Sequence, residues 1–226
     1  FYAVRDVIAK HVNLPVAELP EPVRKKRYGT VELMEQADLF ESLPRLSKPV
    51  ERTVPETMER LGQDYGFILY STQVSGPRLQ SELFLQEVRD RALVFVNETF
   101  VGVIDRWDQQ TLTIDIPMEG AKLSILVENM GRVNYGPLLW DAKGITEGVR
   151  LDNQFLFGWA THTLPLNDLS NLVYSDVTGK QGPSFFRGGF HVDEPADTFV
   201  ELSGWTKGVV YINGFNLGRY WEHGTL

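Results

Sequence analysis

The sequence predicts an all-β protein: two β-sandwiches, the second incomplete, behind an N-terminal helical segment. Three observations carry this expectation. Beyond Gly62 the hydrophobic period changes from the helical spacing to two, in short runs separated by turn residues. Composition agrees, since 20 glycines, 12 prolines and 12% aromatics in 226 residues suit short strands joined by tight turns. Strand-like segments also recur at one fixed offset, the 116 residues from Val94 to Val210.

Residues 1–12 read as a helix, with Tyr2, Val4, Ile8 and Val12 near the helical period. No Ser, Thr, Asp or Asn precedes it to cap its first amides, so it reads as the end of a larger element, residues 1–14. Residues 15–61 read as a Pro-rich linker carrying two helices. The first, residues 31–43, places Leu33, Met34, Ala37 and Phe40 on one stripe, with Thr30 as its cap. The second, residues 56–61, starts after Pro55 and stops at Gly62. The basic patch Arg24-Lys25-Lys26-Arg27 reads as a solvated turn within this linker.

Residues 67–70, 83–85, 93–96, 111–116 and 123–127 are the expected strands of a first sandwich, residues 62–150. The chain folds back about Asn97-Glu98-Thr99 as a hairpin. Residues 185–186, 198–202 and 209–212 are the expected strands of a second sandwich, residues 151–226.

The repeat is ungapped. Val94-Phe95-Val96-Asn97, followed by Val101-Gly102, matches Val210-Tyr211-Ile212-Asn213, followed by Leu217-Gly218. At the same offset Leu69-Tyr70 falls on Phe185-Phe186, and Leu83-Phe84 falls on Phe199-Val200. The first copy runs 32 residues past Asn97, to Asn129, whereas the second runs 13 past Asn213, to Leu226. The second sandwich is therefore expected to lack its closing strands, which would leave unpaired edges.

Charge narrows the function classes. Lys+Arg total 22 against 30 Asp+Glu, a net charge of −8, which argues against a nucleic-acid partner because phosphate neutralisation needs clustered cations. No apolar run approaches the length of a membrane span, so no membrane partner is expected. Residues 1–6 show no basic region followed by an apolar stretch, so they read as no signal peptide; cytoplasmic location is favoured over the bacterial cell surface or secretion. With 0 cysteines, disulfides, thiolate catalysis and Cys-ligated zinc are excluded. His11, His162, His191 and His223 have no ligand spacing, so no metal is expected, and no Gly-rich phosphate loop calls for a nucleotide cofactor.

Two long segments are recognisable. Leu126-Val127-Glu128-Asn129-Met130-Gly131-Arg132-Val133-Asn134-Tyr135-Gly136 is one, and Gly204-Trp205-Thr206-Lys207-Gly208 continuing to Asn213-Gly214-Phe215-Asn216-Leu217-Gly218-Arg219-Tyr220-Trp221 is the other. Both resemble glycoside hydrolase family 35 β-galactosidases of the bacterial type. The resemblance implies a catalytic TIM barrel followed by two jelly-roll, galactose-binding-like β domains, with residues 1–14 as the last barrel helix. It also implies hydrolysis of terminal β-linked galactose with retention, by two glutamates on barrel strands about 5 Å apart. Neither barrel motif is present, so no catalytic residue is assigned in this chain. Its partners would be its own barrel and a galactoside substrate, with a homodimer contact as a further expectation.

Among this chain's own residues, Asn134 and Tyr135 are the candidate substrate-binding pair. They lie in the Gly-rich loop 131–136, where an aromatic ring can cover sugar C–H faces and an amide can bond hydroxyls. The alternative at this point is that Tyr135 packs as a domain-interface anchor. Glu128 ends an apolar strand without an opposing carboxylate and reads as structural. Asp105, Asp108 and Asp141 sit in turn-like contexts and read as solvated. Of Trp107, Trp140, Trp159, Trp205 and Trp221, about one in five is expected to face a ligand and the rest to pack. Asn97-Glu98-Thr99 is a formal N-glycosylation sequon, relevant only on a eukaryotic secretory route. Three readings stand: the non-catalytic region of a β-galactosidase, a stand-alone galactose-binding module, and a structural or dimerisation domain.

Overall fold

The computed structural model describes residues 2–13 and 21–223. In chain order the strands are β1 (Glu35–Asp38), β2 (Val50–Arg52), β3 (Phe67–Val74), β4 (Arg78–Arg89), β5 (Arg91–Val96), β6 (Thr99–Asp105), β7 (Leu112–Ile116) and β8 (Ala121–Glu128). They continue with β9 (Gly144–Leu151), β10 (Gln154–Phe155), β11 (Trp159–Leu164), β12 (Ser175–Asp176), β13 (Ser184–Arg187), β14 (Lys207–Ile212) and β15 (Phe215–Trp221). Two helices, α1 (Tyr2–Ala9) and α2 (Leu39–Leu46), lie in the N-terminal part. The chain is mostly strand, as expected.

The described residues fall into two compact units: residues 32–188 with 211–217, and the described parts of 1–31 and 218–226 with 189–210. The larger unit holds three antiparallel sheets, two large ones ordered β2-β11-β3-β8-β5-β6 and β10-β9-β4-β7 and a small one ordered β12-β1-β13. Ile68, Tyr70, Val94 and Ile125 from the first sheet meet Leu83, Leu85, Ile114 and Val149 from the second in one buried core. Trp159 lies in this core with its ring edge-on to Tyr70, centroids 6.4 Å apart. The opposite face of the six-stranded sheet is covered too: Leu39, Phe40 and Leu43 of α2 pack on Leu69, Phe95, Leu126 and Leu164. Burial on both faces explains why β3 and β8 read as near-continuous apolar runs rather than strict alternation.

The boundary expected at residue 150 falls inside β9, and the paired strands run on to Leu164. Trp159–Leu164 inserts between β2 and β3, with Thr161 opposite both Val50 and Tyr70. Long-range pairing of this kind leaves no trace in local composition.

The helix expected over residues 31–43 is corrected. Residues 35–38 are strand, because Glu35, Gln36, Ala37 and Asp38 pair with Arg187, Phe186, Phe185 and Ser184. Arg187 adds two hydrogen bonds of 2.7 Å to the Glu35 carboxylate. The helix starts at Leu39, eight residues later than a helix capped by Thr30 would, and its cap is Asp38, whose Oδ1 accepts the Glu41 amide at 3.1 Å. The expected helix at 56–61 is a single 3-10 turn, Glu59–Leu61, ending at Gly62 with φ 74°.

The repeat is realised at the hairpins. β5 and β6 at 91–96 and 99–105 correspond residue for residue to β14 and β15 at 207–212 and 215–221. The backbone bond closing the first hairpin base, Arg106 N–H to the Asp90 carbonyl at 2.8 Å, recurs as Glu222 N–H to the Thr206 carbonyl at 2.8 Å. Elsewhere the match is partial. The expected strand at 198–202 is irregular backbone, and the neighbouring Asp197 instead bridges Lys25. In the first copy β5 lies between β6 and β8, whereas β14 and β15 form a two-stranded sheet among the described residues.

α1 exposes Tyr2, Val4, Val7 and Ile8. The basic patch is not simply solvated: Arg24 pairs with Glu194, and the Lys25 ammonium lies 5.3 Å from the Phe199 ring centre. No described helix is long and apolar enough to cross a membrane.

Candidate functional site

The loop that carries Asn134 and Tyr135 leaves β8 at Glu128 and re-enters the sheets at β9. Its tip is open: Tyr135 is 89% exposed and Trp140 95% exposed, with Leu138 and Leu139 also at the surface. Gly136, at φ 90°, turns the chain into the short 3-10 segment Pro137–Trp140, a conformation L side chains rarely adopt. The base of the loop is the reverse of its tip, packed on buried charge.

Asp90, between β4 and β5, is 2% exposed and sits at the centre of that base. Its Oδ1 accepts from Lys143 Nζ at 2.8 Å and Arg106 Nη1 at 2.7 Å. Its Oδ2 accepts from Lys143 Nζ at 2.9 Å and from the Met130 backbone N–H at 2.7 Å. Its own N–H donates to the Glu128 carbonyl at 3.0 Å. One residue thus ties the end of β8, the start of the loop, the turn after β6 and the segment entering β9.

The far end of the loop is held by Asp141. Arg89 Nε donates to its Oδ1 at 2.7 Å, and Arg106 Nη1 lies 2.8 Å from its Oδ2. Burial pushes the Asp141 carboxyl pKa up, but the hydrogen bonds and charges of Arg89 and Arg106 outweigh it and hold the value below the ordinary carboxylate range. Glu59 completes the base: both its oxygens accept the Lys143 N–H at 3.0 Å, and Arg132 of the loop donates to it. Burial raises the Glu59 pKa, and these donors more than reverse the effect.

Asn129, just before the loop, donates to the Asp64 carbonyl at 2.9 Å and accepts the Gly131 N–H at 2.9 Å. Trp107 stands on the same charged base, its ring centre 5.6 Å from the Arg106 guanidinium carbon, and is 73% exposed. Rigid support beneath exposed aromatic rings suits contact with a ligand or with another surface.

Asn134 and Tyr135 are both exposed, on the loop tip. Glu128 is buried at the end of β8, opposite Phe67 and Arg91. The expectation that Asp141 is solvated is corrected, since its side chain is 6% exposed and doubly paired. Trp159 is core, and Trp221 packs with the Lys207 ammonium 4.0 Å from its ring centre. Asp90 and Lys143 escaped the sequence reading. The only local signal was the alternation Arg89-Asp90-Arg91 ahead of an apolar run, with Asp141 and Lys143 flanking Ala142. Among the described residues no group of three His, Asp or Glu side chains is placed to hold a metal ion.

Comparison with known proteins adds an independent observation. Residues 55–166 match a family model described as "Beta-galactosidase, first all-beta domain", and residues 183–226 match one described as "Beta-galactosidase, galactose-binding domain". The chain is 39% identical over 228 residues to "Beta-galactosidase" of Xanthomonas manihotis, covering 99% of this chain and 37% of that protein. It is 34% identical over 268 residues to "Beta-galactosidase 8" of Oryza sativa subsp. japonica, covering 98% and 40% respectively. It is 36% identical over 251 residues to "Beta-galactosidase" of Homo sapiens, covering 98% and 36%. The chain therefore spans two-fifths or less of the length of these curated relatives. They come from a bacterium, a plant and a mammal, so the similarity supports the all-β region of a β-galactosidase and does not single out a bacterial type.

Proposed function

We propose that this chain is the non-catalytic β-domain region of a retaining family 35 β-galactosidase, which removes terminal β-linked galactose from glycans or oligosaccharides. The reacting carboxylates belong to a TIM barrel outside this chain, and the chain alone is inactive. Its work is to buttress that barrel and to border the outer, aglycone side of the substrate site with Asn134 and Tyr135. Its two β domains are jelly rolls of the galactose-binding-like kind. The observation that carries the reading is the tandem match of two β-galactosidase β-domain models, in order along one chain. The geometry supports it at the loop, where a solvent-facing Tyr135 stands on a base fixed at both ends.

The deciding measurement is a pair of substitutions in the whole enzyme. Tyr135→Ala should raise KM for a β-galactoside by about three- to ten-fold with little change in kcat, the loss of one stacking contact. Tyr135→Phe keeps the ring and should lie close to the parent. Unchanged KM and acceptor preference in both variants would sink the substrate role. Turnover of a β-galactoside by this chain alone would overturn its non-catalytic assignment.

A second reading is favoured by the match of residues 183–226 to a galactose-binding domain: a module that binds galactose by itself. Titration of the isolated chain with galactose separates the two, since saturable binding is required by the module and not by the buttress.

A further inference from the structure

We infer that Asp90 and Lys143 are positioning residues, a buried ion pair whose task is to fix the register of the loop bearing Tyr135. The inference deepens the substrate role proposed for that loop and rests on it only for its effect on KM.

The argument starts from cost. Lys143 is 1% exposed and Asp90 2% exposed, so both charges have lost their hydration. Replacing such a pair by apolar groups of like size is often neutral or stabilising, so its presence is poor evidence of a stabilising role. Something other than stability must be sought in what the pair touches.

What it touches is the loop. Asp90 Oδ2 is the acceptor for the Met130 N–H at 2.7 Å, the first amide beyond the β8 ladder and Asn129. Met130 and Asp90 are 40 residues apart, so no local turn supplies this bond. Lys143 Nζ bonds both oxygens of Asp90 and thereby fixes the carboxylate plane, which sets where Oδ2 points. Arg106 then joins the two ends of the loop through one guanidinium, meeting Asp90 Oδ1 at 2.7 Å and Asp141 Oδ2 at 2.8 Å. The base is charged and directional, while the tip is exposed aromatic surface. An apolar plug of equal volume would fill the same space but offer Met130 no acceptor.

The test uses hydrogen exchange and steady-state kinetics on the whole protein. Asp90→Leu combined with Lys143→Met should leave the strands of both large sheets protected, yet speed exchange of the 130–136 amides by about ten-fold or more. Asp90→Asn, which retains an oxygen for the Met130 N–H, should restore most of that protection. In kinetics the double variant should raise KM for a β-galactoside while kcat stays within about two-fold. Unchanged exchange at residues 130–136 overturns the inference, as does an equal loss of protection in loop and strands. Faster loop exchange with an unaltered KM upholds the clamp and counts instead against Tyr135 as a substrate contact. If the double variant does not fold, Lys143→Met alone decides the matter by the same exchange measurement, with a smaller rise expected.

Discussion

Asn97 and Asn213 occupy the same point of the same hairpin, 116 residues apart, with φ of 48° and 50°. Each is followed by a second residue of positive φ, Glu98 at 64° and Gly214 at 82°, the signature of a two-residue turn matched to strand twist. Asn97 is used further: its N–H donates to the Lys122 carbonyl at 2.9 Å and its Oδ1 accepts the Lys122 N–H at 2.9 Å.

The two turns differ in one residue, and the difference predicts a stability change. Glu98 holds a left-handed conformation that costs an L residue roughly 1–2 kcal/mol, which Gly214 avoids. Glu98→Gly should therefore stabilise the protein by up to about 1 kcal/mol, after the greater unfolded-state freedom of glycine is subtracted. Urea unfolding of the variant checks the sign.

Tyr70 is fully buried, and its hydroxyl donates to the Glu56 carbonyl at 2.7 Å while accepting the Ile145 N–H at 3.3 Å. Tyr70→Phe leaves both backbone groups without that partner and should cost about 1–3 kcal/mol. Trp159→Ala, in the same core, should cost about 3–5 kcal/mol because the space cannot collapse between two sheets. Thermal unfolding ranks the two.

Gly144 is the third member of this contact. A Cβ there would lie 2.2 Å from the Tyr70 hydroxyl oxygen, on a backbone with φ 102°. Gly144→Ala should destabilise by several kcal/mol, above the ordinary range for a point change. Much of the loss should be recovered by adding Tyr70→Phe, which removes the clashing oxygen. Additivity of the two penalties in unfolding experiments would count against the clash.

Acid should loosen the loop base before it unfolds the sheets. Asp141 and Glu59 both have carboxyl pKa values below their ordinary 3.8 and 4.5. The folded form thus binds these protons less readily than the unfolded chain does. The stabilisation is fully present above about pH 5, and it falls as pH drops through the ordinary values toward the folded ones. Asp141→Asn should flatten that part of the profile. Melting temperature against pH, from 7 down to 3, is the measurement.

At the loop, legibility was uneven. Tyr135 and Asn134 stood out because an aromatic and an amide in a Gly-rich segment are visible without neighbours, and both are exposed on the tip. Asp90, which holds that segment, looks in sequence like any charged residue between strands. Its role depends on Lys143, 53 positions away. Asp141 misled for the same reason, since a turn residue next to Ala and Lys gives no hint of Arg89 and Arg106 beside it. Trp159 and Trp140 are equally aromatic in sequence, yet one is core and the other 95% exposed.

Period and turn chemistry act over a few residues, so the sequence alone determined the strand-rich character, the stop at Gly62 and the repeated hairpin. Helix propensity at residues 31–43 is equally local, but there it lost to a partner: four backbone pairs with β13 hold residues 35–38 extended and delay the helix to Asp38. Strand order, the insertion of β11 between β2 and β3, and the meeting of Asp90 with Lys143 were decided only by tertiary structure. A buried charge gains its partner, and a strand its neighbour, from the register in which distant segments pair, and that register is a property of the assembled sheets.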